Sequence, residues 1–173
     1  DAYGLLRSAI DDPNPVIFIE HRHLYGRKGP RVNRDHRVPI GKAAVALSGR
    51  HVTFVAAGRL VHEGVAAASV LAAEGIEIEV IDLRTIAPLD VETIAASVAK
   101  TGRLAIAHEA SVAYGPGGEL VAAMVEKCFW HLDAPPVRIG ARNTPAPYSP
   151  VLEHDWLPSQ ELIVTELRAL ALS

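Results

Sequence analysis

Residues 51–83 read HVTFVAAGRLVHEGVAAASVLAAEGIEIEVIDL, a helical pattern between two strand patterns. HVTFVAA (51–57) and IEIEVIDL (76–83) are short and rich in β-branched residues, which is typical of strands. The segment between them, LVHEGVAAASVLAAE (60–74), has apolar residues at helical spacing and stops before Gly75. Short connections between these elements predict two parallel strands with a crossover helix.

The same alternation continues towards the end of the chain. Asp90 is expected to cap a helix and Gly102 to end it, and the prolines of 144–158 precede the last helix. The further segments are helices at 91–100, 119–130 and 159–172 and strands at 103–109 and 136–140. Together they predict an α/β fold, a mostly parallel sheet covered by helices on both faces.

The first forty residues do not follow this alternation. Apolar spacing predicts a helix at 3–10, and VIFIE (16–20) is typical of a strand. A basic segment rich in glycine and proline follows. We therefore expect one domain at 41–173, preceded at 1–40 by the tail of another domain and a linker. The start at Asp1, with Met124 as the one methionine, is expected of a processed chain or of a piece of a longer one.

Composition narrows the classes of function. Hydrophobic residues make up 49% of the chain and aromatic residues only 5%, so the core should be aliphatic. A formal net charge of −3 gives no general attraction to nucleic acid or to anionic membranes. The single cysteine, Cys128, excludes an internal disulfide. No run is apolar enough to span a membrane, and no signal peptide is evident.

The stretch AIDDPNP (9–15) places two acids where a helix should end. A helix C-terminus already carries partial negative charge, so Asp11 and Asp12 should destabilise it unless a positive group lies nearby. One interpretation is a cation held by free carbonyl oxygens together with carboxylate and amide oxygens. The other is that these residues are ordinary helix-stop signals.

Other motifs carry weaker chemical predictions. His62-Glu63 begins like a zinc-protease motif, but position 66 is alanine, and neither Ser48 nor Ser111 lies in a nucleophile motif. YGPGGE (114–119) is placed like a phosphate loop but lacks that sequence pattern, so tight strand-to-helix packing is the other interpretation. His108-Glu109 ends a strand, where α/β sheets place ligand sites, and a packing or interface pair is the other interpretation.

The basic segment at 22–37 has two interpretations. It holds six arginine or lysine residues against one acid, Asp35. Such a run is commonly a solvated linker, and it could also contact an acidic partner. The sequence does not separate the two.

An ordered series of motifs resembles one family over nearly the whole chain. These motifs are GLLRSAIDDPNPVIFIEHRHLYG, VPIGKA, EVIDLRTIAPLDVETIAASVAKTGRLAIAHEA, LDAPPVRIG and TPAPYSPVLE followed by LP. They are similar to the C-terminal half of the beta subunit of thiamine-diphosphate-dependent 2-oxo-acid dehydrogenases, which act on pyruvate, branched-chain acids or acetoin. Another transketolase-fold enzyme, such as a deoxyxylulose-phosphate synthase, fits the linker and the proline-rich segment less well.

The resemblance implies a fold and a set of site residues and cofactors. Residues 41–173 would form a transketolase C-terminal-like domain, a three-layer α/β/α sandwich, and residues 1–40 the tail of a pyrimidine-binding domain. No catalytic or cofactor-binding residue is expected here, because the cofactor-activating glutamate would lie upstream. Thiamine diphosphate and Mg²⁺ would be held in the full complex. A family potassium site falls on Ala9, Ile10, Asp12 and Asn14, so K⁺ is a further expected ion.

The resemblance also implies partners. They are an alpha subunit, a second beta subunit and the binding domain of a lipoyl-acyltransferase, with neither nucleic acid nor membrane expected. The region would then serve subunit assembly and acyltransferase docking, either as part of a catalytic subunit or as an assembly module without chemistry of its own. The high alanine content and the lack of a transit peptide lead us to expect a bacterial cytoplasmic protein.

Overall fold

The computed structural model describes all 173 residues and contains one five-stranded sheet. Six α-helices and two short 3₁₀ helices accompany it. The helices are α1 (Ala2–Asp11), α2 (Arg59–Ala72), α3 (Val91–Thr101), α4 (Pro116–Cys128), α5 (Pro150–Trp156) and α6 (Gln160–Ala171). The strands are β1 (Ala44–Leu47), β2 (Val52–Ala56), β3 (Ile78–Asp82), β4 (Leu104–Ser111) and β5 (Val137–Ala141). The 3₁₀ helices are Arg22–Leu24 and Phe129–His131.

The sheet is mostly parallel, with strand order β1-β3-β2-β4-β5. β2 pairs in parallel with both β3 and β4, and β4 pairs in parallel with β5. Only the edge strand β1 runs antiparallel, against β3. The carboxyl ends of β2 to β5 therefore meet at one edge of the sheet, which we call the carboxyl edge.

Helices cover both faces of the sheet, so the predicted three-layer arrangement is confirmed. On one face, α2 and α6 enclose an aliphatic core that includes Leu71 and Leu167. On the other, α3 and α4 enclose a second core that includes Ile94 and Met124. The strands between them are buried on both sides, which explains why β2 is apolar except for Thr53, whose hydroxyl lies 2.7 Å from those of Ser97 and Thr101.

Local signals end and begin the helices as the sequence predicts. Asp90 caps α3 by accepting a hydrogen bond from the Thr93 amide at 3.2 Å. Its other carboxylate oxygen accepts from the Ala43 amide at 3.0 Å, which ties the start of β1 to α3. Burial would raise the pKa of Asp90, but a hydrogen bond from the Thr93 hydroxyl at 2.8 Å, the two amide bonds and the charge of Lys42 together lower it. Gly102 ends α3 in the left-handed region at φ 69°.

One predicted strand is wrong, and two elements of the structure are not predicted from the sequence. Residues 16–20 form no strand, because no other strand of the chain lies beside them to accept their backbone hydrogen bonds; Ile17 is 89% exposed. The strand β1 is missed because its apolar run, AVAL, is only four residues long and half alanine, which strands disfavour. The helix α5 is missed because Pro150 lies in its first turn, where proline is tolerated, and does not break the helix. For the same reason α4 begins at Pro116, three residues before the predicted start at Glu119.

The first forty residues pack on one another and reach the rest of the chain through side-chain pairs. A Cβ atom added to Gly4 in α1 would lie 2.6 Å from Val38, so the helix contacts this segment closely. Ser8 donates a hydrogen bond to the Val38 carbonyl at 2.7 Å, and Arg84 pairs with Asp1 at 2.8 Å. The division at residue 41 stays a prediction. None of the helices is both long and apolar enough to cross a membrane.

Candidate functional site

The carboxyl edge gathers ionisable side chains from three strand ends. Arg59 follows β2 as the first residue of α2, Asp82 is the last residue of β3, and His108 and Glu109 lie near the end of β4. In open α/β sheets this edge is where ligand sites are built. The sequence pointed to His108 and Glu109 but not to Arg59 or Asp82.

Glu109 is the centre of an ion-pair network. One oxygen accepts a hydrogen bond from Arg59 Nε at 2.7 Å, and the other lies 2.8 Å from His21 Nε2. Burial would raise the pKa of Glu109, but the hydrogen bonds and charges of Arg59 and His21 outweigh it and lower that pKa. Glu109 is therefore an anion at neutral pH.

Arg59 extends the network to two further segments. Its guanidinium, in a side chain only 15% exposed, also lies 3.3 Å from Glu63 and donates to the Pro158 carbonyl at 3.3 Å. His21 brings in the basic segment, since its Nδ1 accepts from the His23 amide at 3.3 Å. The network thus joins α2, β4, the basic segment and the loop before α6 through one carboxylate.

A polar cavity of about 420 Å³ lies beside this network. Its walls combine His23, Arg59 and Glu63 with the segment from Pro150 to Glu161. Nowhere in the chain do three or more His, Cys, Asp or Glu side chains lie together in a way that could hold a metal ion. The arrangement fixes segments against each other, and no nucleophile with an adjacent base stands in it.

His108 occupies a space made by glycines. A Cβ atom on Gly115 would lie 2.4 Å from its Cε1, one on Gly117 would lie 2.7 Å from its Nε2, and one on Gly140 would lie 2.9 Å from its Cε1. Nδ1 donates to the Ala110 carbonyl at 3.0 Å, while Nε2 is buried without a partner. Burial lowers the pKa of His108, so the ring is neutral at pH 7. The glycines of YGPGGE are thus occupied with packing, which favours the packing interpretation over a phosphate loop.

Asp82 and His62 form a second group at the same edge. Asp82 accepts a hydrogen bond from the Arg84 amide at 3.0 Å, and burial raises its pKa. Burial and the charge of Arg27 lower the pKa of His62. An acid as the last residue of a buried strand is a signal that could have found Asp82 from the sequence.

The predicted potassium residues lie together where α1 ends. Asp12 is the C-cap of α1, and its Oδ1 accepts from the backbone and side-chain nitrogens of Asn14 at 2.9 and 3.1 Å. The last carbonyls of a helix have no partner within it, so Ala9 and Ile10 are compatible with a carbonyl cradle. A positive group does lie beside the paired acids: Arg37 Nε is 2.6 Å from Asp11. The potassium site itself stays a prediction.

The remaining motif residues have structural roles. Glu63 pairs with Arg59, so the His62-Glu63 pair contributes to the network and not to a zinc motif. Cys128 is buried and burial raises its pKa, while Ser111 donates to the Arg142 carbonyl at 3.4 Å. None of these residues has a catalytic arrangement.

Comparison with known proteins identifies the family. The model of the transketolase C-terminal domain matches residues 41–163, and the chain therefore belongs to the transketolase C-terminal domain family. A solved structure described as a split-gene transketolase in an inactive beta4 tetramer superposes with a TM-score of 0.68. It shares 26% identity, and the match covers 83% of this chain and 46% of that one.

Curated relatives confirm the resemblance to beta subunits. Over 99% of its length, the chain is 44% identical to the pyruvate dehydrogenase E1 component subunit beta of Acholeplasma laidlawii, covering 52% of that protein. Identity is 42% to the mitochondrial E1 beta subunit of Bos taurus, with 97% of this chain and 48% of that protein covered. It is 40% to the acetoin:2,6-dichlorophenolindophenol oxidoreductase subunit beta of Cupriavidus necator, with 97% and 50% covered. The chain spans about half the length of these relatives.

Proposed function

We propose that the chain is the C-terminal region of the beta subunit of a thiamine-diphosphate-dependent 2-oxo-acid dehydrogenase. The observation that carries this proposal is the 44% identity to a pyruvate dehydrogenase beta subunit along 99% of the chain. The complete enzyme would decarboxylate pyruvate or a related 2-oxo acid and pass the acyl group to a lipoyl-acyltransferase. The acetoin oxidoreductase relative, at 40% identity, supports acetoin cleavage as the second candidate.

In this proposal the region contributes to assembly and not to chemistry. The network around Glu109 ties segments together and offers no nucleophile. Thiamine diphosphate and Mg²⁺ are proposed to be held elsewhere in the complex, where the cofactor supplies the carbanion chemistry of decarboxylation. The potassium site at Ala9, Ile10, Asp12 and Asn14 belongs to the same proposal.

Exposed apolar side chains supply surface for partners. Tyr114 and Tyr148 are fully exposed on loops at the carboxyl edge, Val151 is 73% exposed, and Trp130 is 92% exposed beside α4. Exposed aromatic residues are enriched at protein interfaces. An alpha subunit, a second beta subunit and the binding domain of a lipoyl-acyltransferase are the proposed partners, in a bacterial cytoplasm.

Co-purification tests the catalytic proposal. The protein, with any residues that precede Asp1 in its gene, would be expressed with a candidate alpha subunit from the same organism. We expect a complex that decarboxylates a 2-oxo acid when thiamine diphosphate and Mg²⁺ are added. Pyruvate, a branched-chain 2-oxo acid and acetoin, assayed side by side, distinguish the substrates. A stable complex with no thiamine-dependent turnover would contradict the catalytic proposal.

A titration tests where the cofactor is held. Isothermal calorimetry of the 173-residue chain with thiamine diphosphate and Mg²⁺ should give no binding heat, because the residues that hold the cofactor are proposed to lie elsewhere. Tight binding by the chain alone would overturn the role as a region for assembly. Formation of deoxyxylulose phosphate by the complete protein would favour the other transketolase-fold enzyme.

A further inference from the structure

The basic segment together with His21, residues 21–37, is here called the basic strap. It concentrates positive charge in a chain that is otherwise acidic. The strap holds six arginine and lysine residues and one acid, giving a formal charge of +5, so the rest of the chain carries −8. Five of the six basic side chains belong to exposed residues without an ion-pair partner. These are Arg22, Arg27, Lys28, Arg31 and Arg34.

Outside the strap, most basic residues are paired with carboxylates. Of the eleven arginine and lysine residues outside the strap, eight form ion pairs with carboxylates of this chain. Within the strap, only Arg37 does so, with Asp11. The unpaired charge of the strap is therefore a local property and not a general feature of the surface.

The strap is also held in place at both ends. His21 contacts Glu109 at 2.8 Å at its beginning, and Arg37 contacts Asp11 at 2.6 Å at its end. Near its end, the Tyr3 hydroxyl donates to the Arg34 carbonyl at 3.0 Å. A segment fixed in this way presents its charges at a smaller entropic cost of binding than a free tail would.

We propose that the basic strap is a docking surface for an acidic surface on a different protein chain. Four of its five unpaired cations are arginines, and Tyr25 is 68% exposed among them. Arginine and tyrosine are the residues that protein interfaces favour. The −8 charge of the remaining chain opposes a nucleic acid or an anionic membrane, whose negative charge extends beyond the strap. Naming the alpha subunit as that chain rests on the proposed function.

The first experiment does not depend on the proposed function. Binding of the chain to immobilised poly-glutamate, single-stranded DNA and phosphatidylserine vesicles is measured at 50 and 300 mM NaCl. The strap variant is R27Q/K28Q/R31Q, and the control variant is R50Q/K127Q/R142Q, which changes the net charge equally. We expect the strap variant to bind poly-glutamate at least tenfold more weakly at 50 mM NaCl, and the control to stay within twofold.

Two results of that experiment would overturn the proposal. If the control variant loses as much affinity as the strap variant, net charge and not the strap is responsible. If DNA or vesicles bind the chain more tightly than poly-glutamate does, the strap selects a polyanion of another class.

The second experiment places the strap against the alpha subunit. Lys28 is the one lysine of the strap, and a carbodiimide joins a lysine amine to a carboxylate only where the two are in contact. In the co-purified complex we expect a cross-link from Lys28 to an acidic residue of the alpha subunit. Lys28→Arg should remove the cross-link and leave the complex intact.

A complex that forms without this cross-link, and equally well with the strap variant, refutes the docking surface while the proposed function stands. If no complex forms, the proposed function fails. The poly-glutamate experiment still tests whether the strap binds acidic groups.

Discussion

Replacing Glu109 by glutamine tests whether the ion-pair network stabilises the fold. Glutamine keeps the size of the side chain but removes the charge that faces Arg59 and His21 at 2.7 and 2.8 Å. Arg59, in a side chain 15% exposed, would keep only Glu63, at 3.3 Å, as an anionic partner. The variant therefore leaves a half-buried cation poorly compensated.

The expected cost is moderate because the site is not fully enclosed. A hydrogen bond to a charged group contributes about 1.5–3 kcal/mol, and loss of one member of a buried pair costs about 3–5 kcal/mol. The Glu109 side chain is 31% exposed, so water compensates part of the loss. We expect the free energy of unfolding to fall by about 2 kcal/mol, which for a domain of this size lowers Tm by about 6 °C.

Urea unfolding followed by circular dichroism at several pH values measures this effect. The native pKa of Glu109 is lowered, so its stabilisation is complete above the unfolded-state pKa of about 4.3 and is lost as the pH falls through the native pKa. The difference between wild type and Glu109→Gln should therefore be present at pH 7 and shrink in acid. The exposed Glu126 provides the control, since Glu126→Gln should change stability by less than about 0.5 kcal/mol. If both variants unfold alike at pH 7, the network does not stabilise the fold.

Three further variants and probes test the packing of the domain. Gly64→Ala should destabilise by about 2 kcal/mol in thermal unfolding, because the added Cβ would lie 2.3 Å from the Phe54 ring; an unchanged Tm would contradict this close packing. Asp90→Ala should cost about 2 kcal/mol in urea, because the cap of α3 and the bond to β1 are lost together, whereas the exposed Asp155→Ala should be neutral. Cys128 should react with a thiol reagent only when the chain is unfolded, since burial raises its pKa; rapid reaction of the native protein would place the thiol at the surface.

The alternation of strands and helices was readable from the sequence because it depends on local periodicity. A strand buried on both faces needs a mainly apolar run such as residues 52–56, and a covering helix needs apolar residues at helical spacing. The cap at Asp90 and the stop at Gly102 are likewise local chemistry. The family resemblance added the expectation of a beta subunit, and the relatives bear it out.

Strand partners and side-chain contacts needed the folded chain. VIFIE at 16–20 has the composition of a strand but forms none, because a strand exists only where a neighbour supplies hydrogen bonds. β1, a four-residue run that is half alanine, becomes a strand because β3 offers an edge. Glu109, Arg59 and His21 are far apart in the sequence and meet only because parallel strands end at one edge and the strap crosses it. Periodicity reports the environment of each segment, whereas contacts depend on which segments the sheet and its connections bring together.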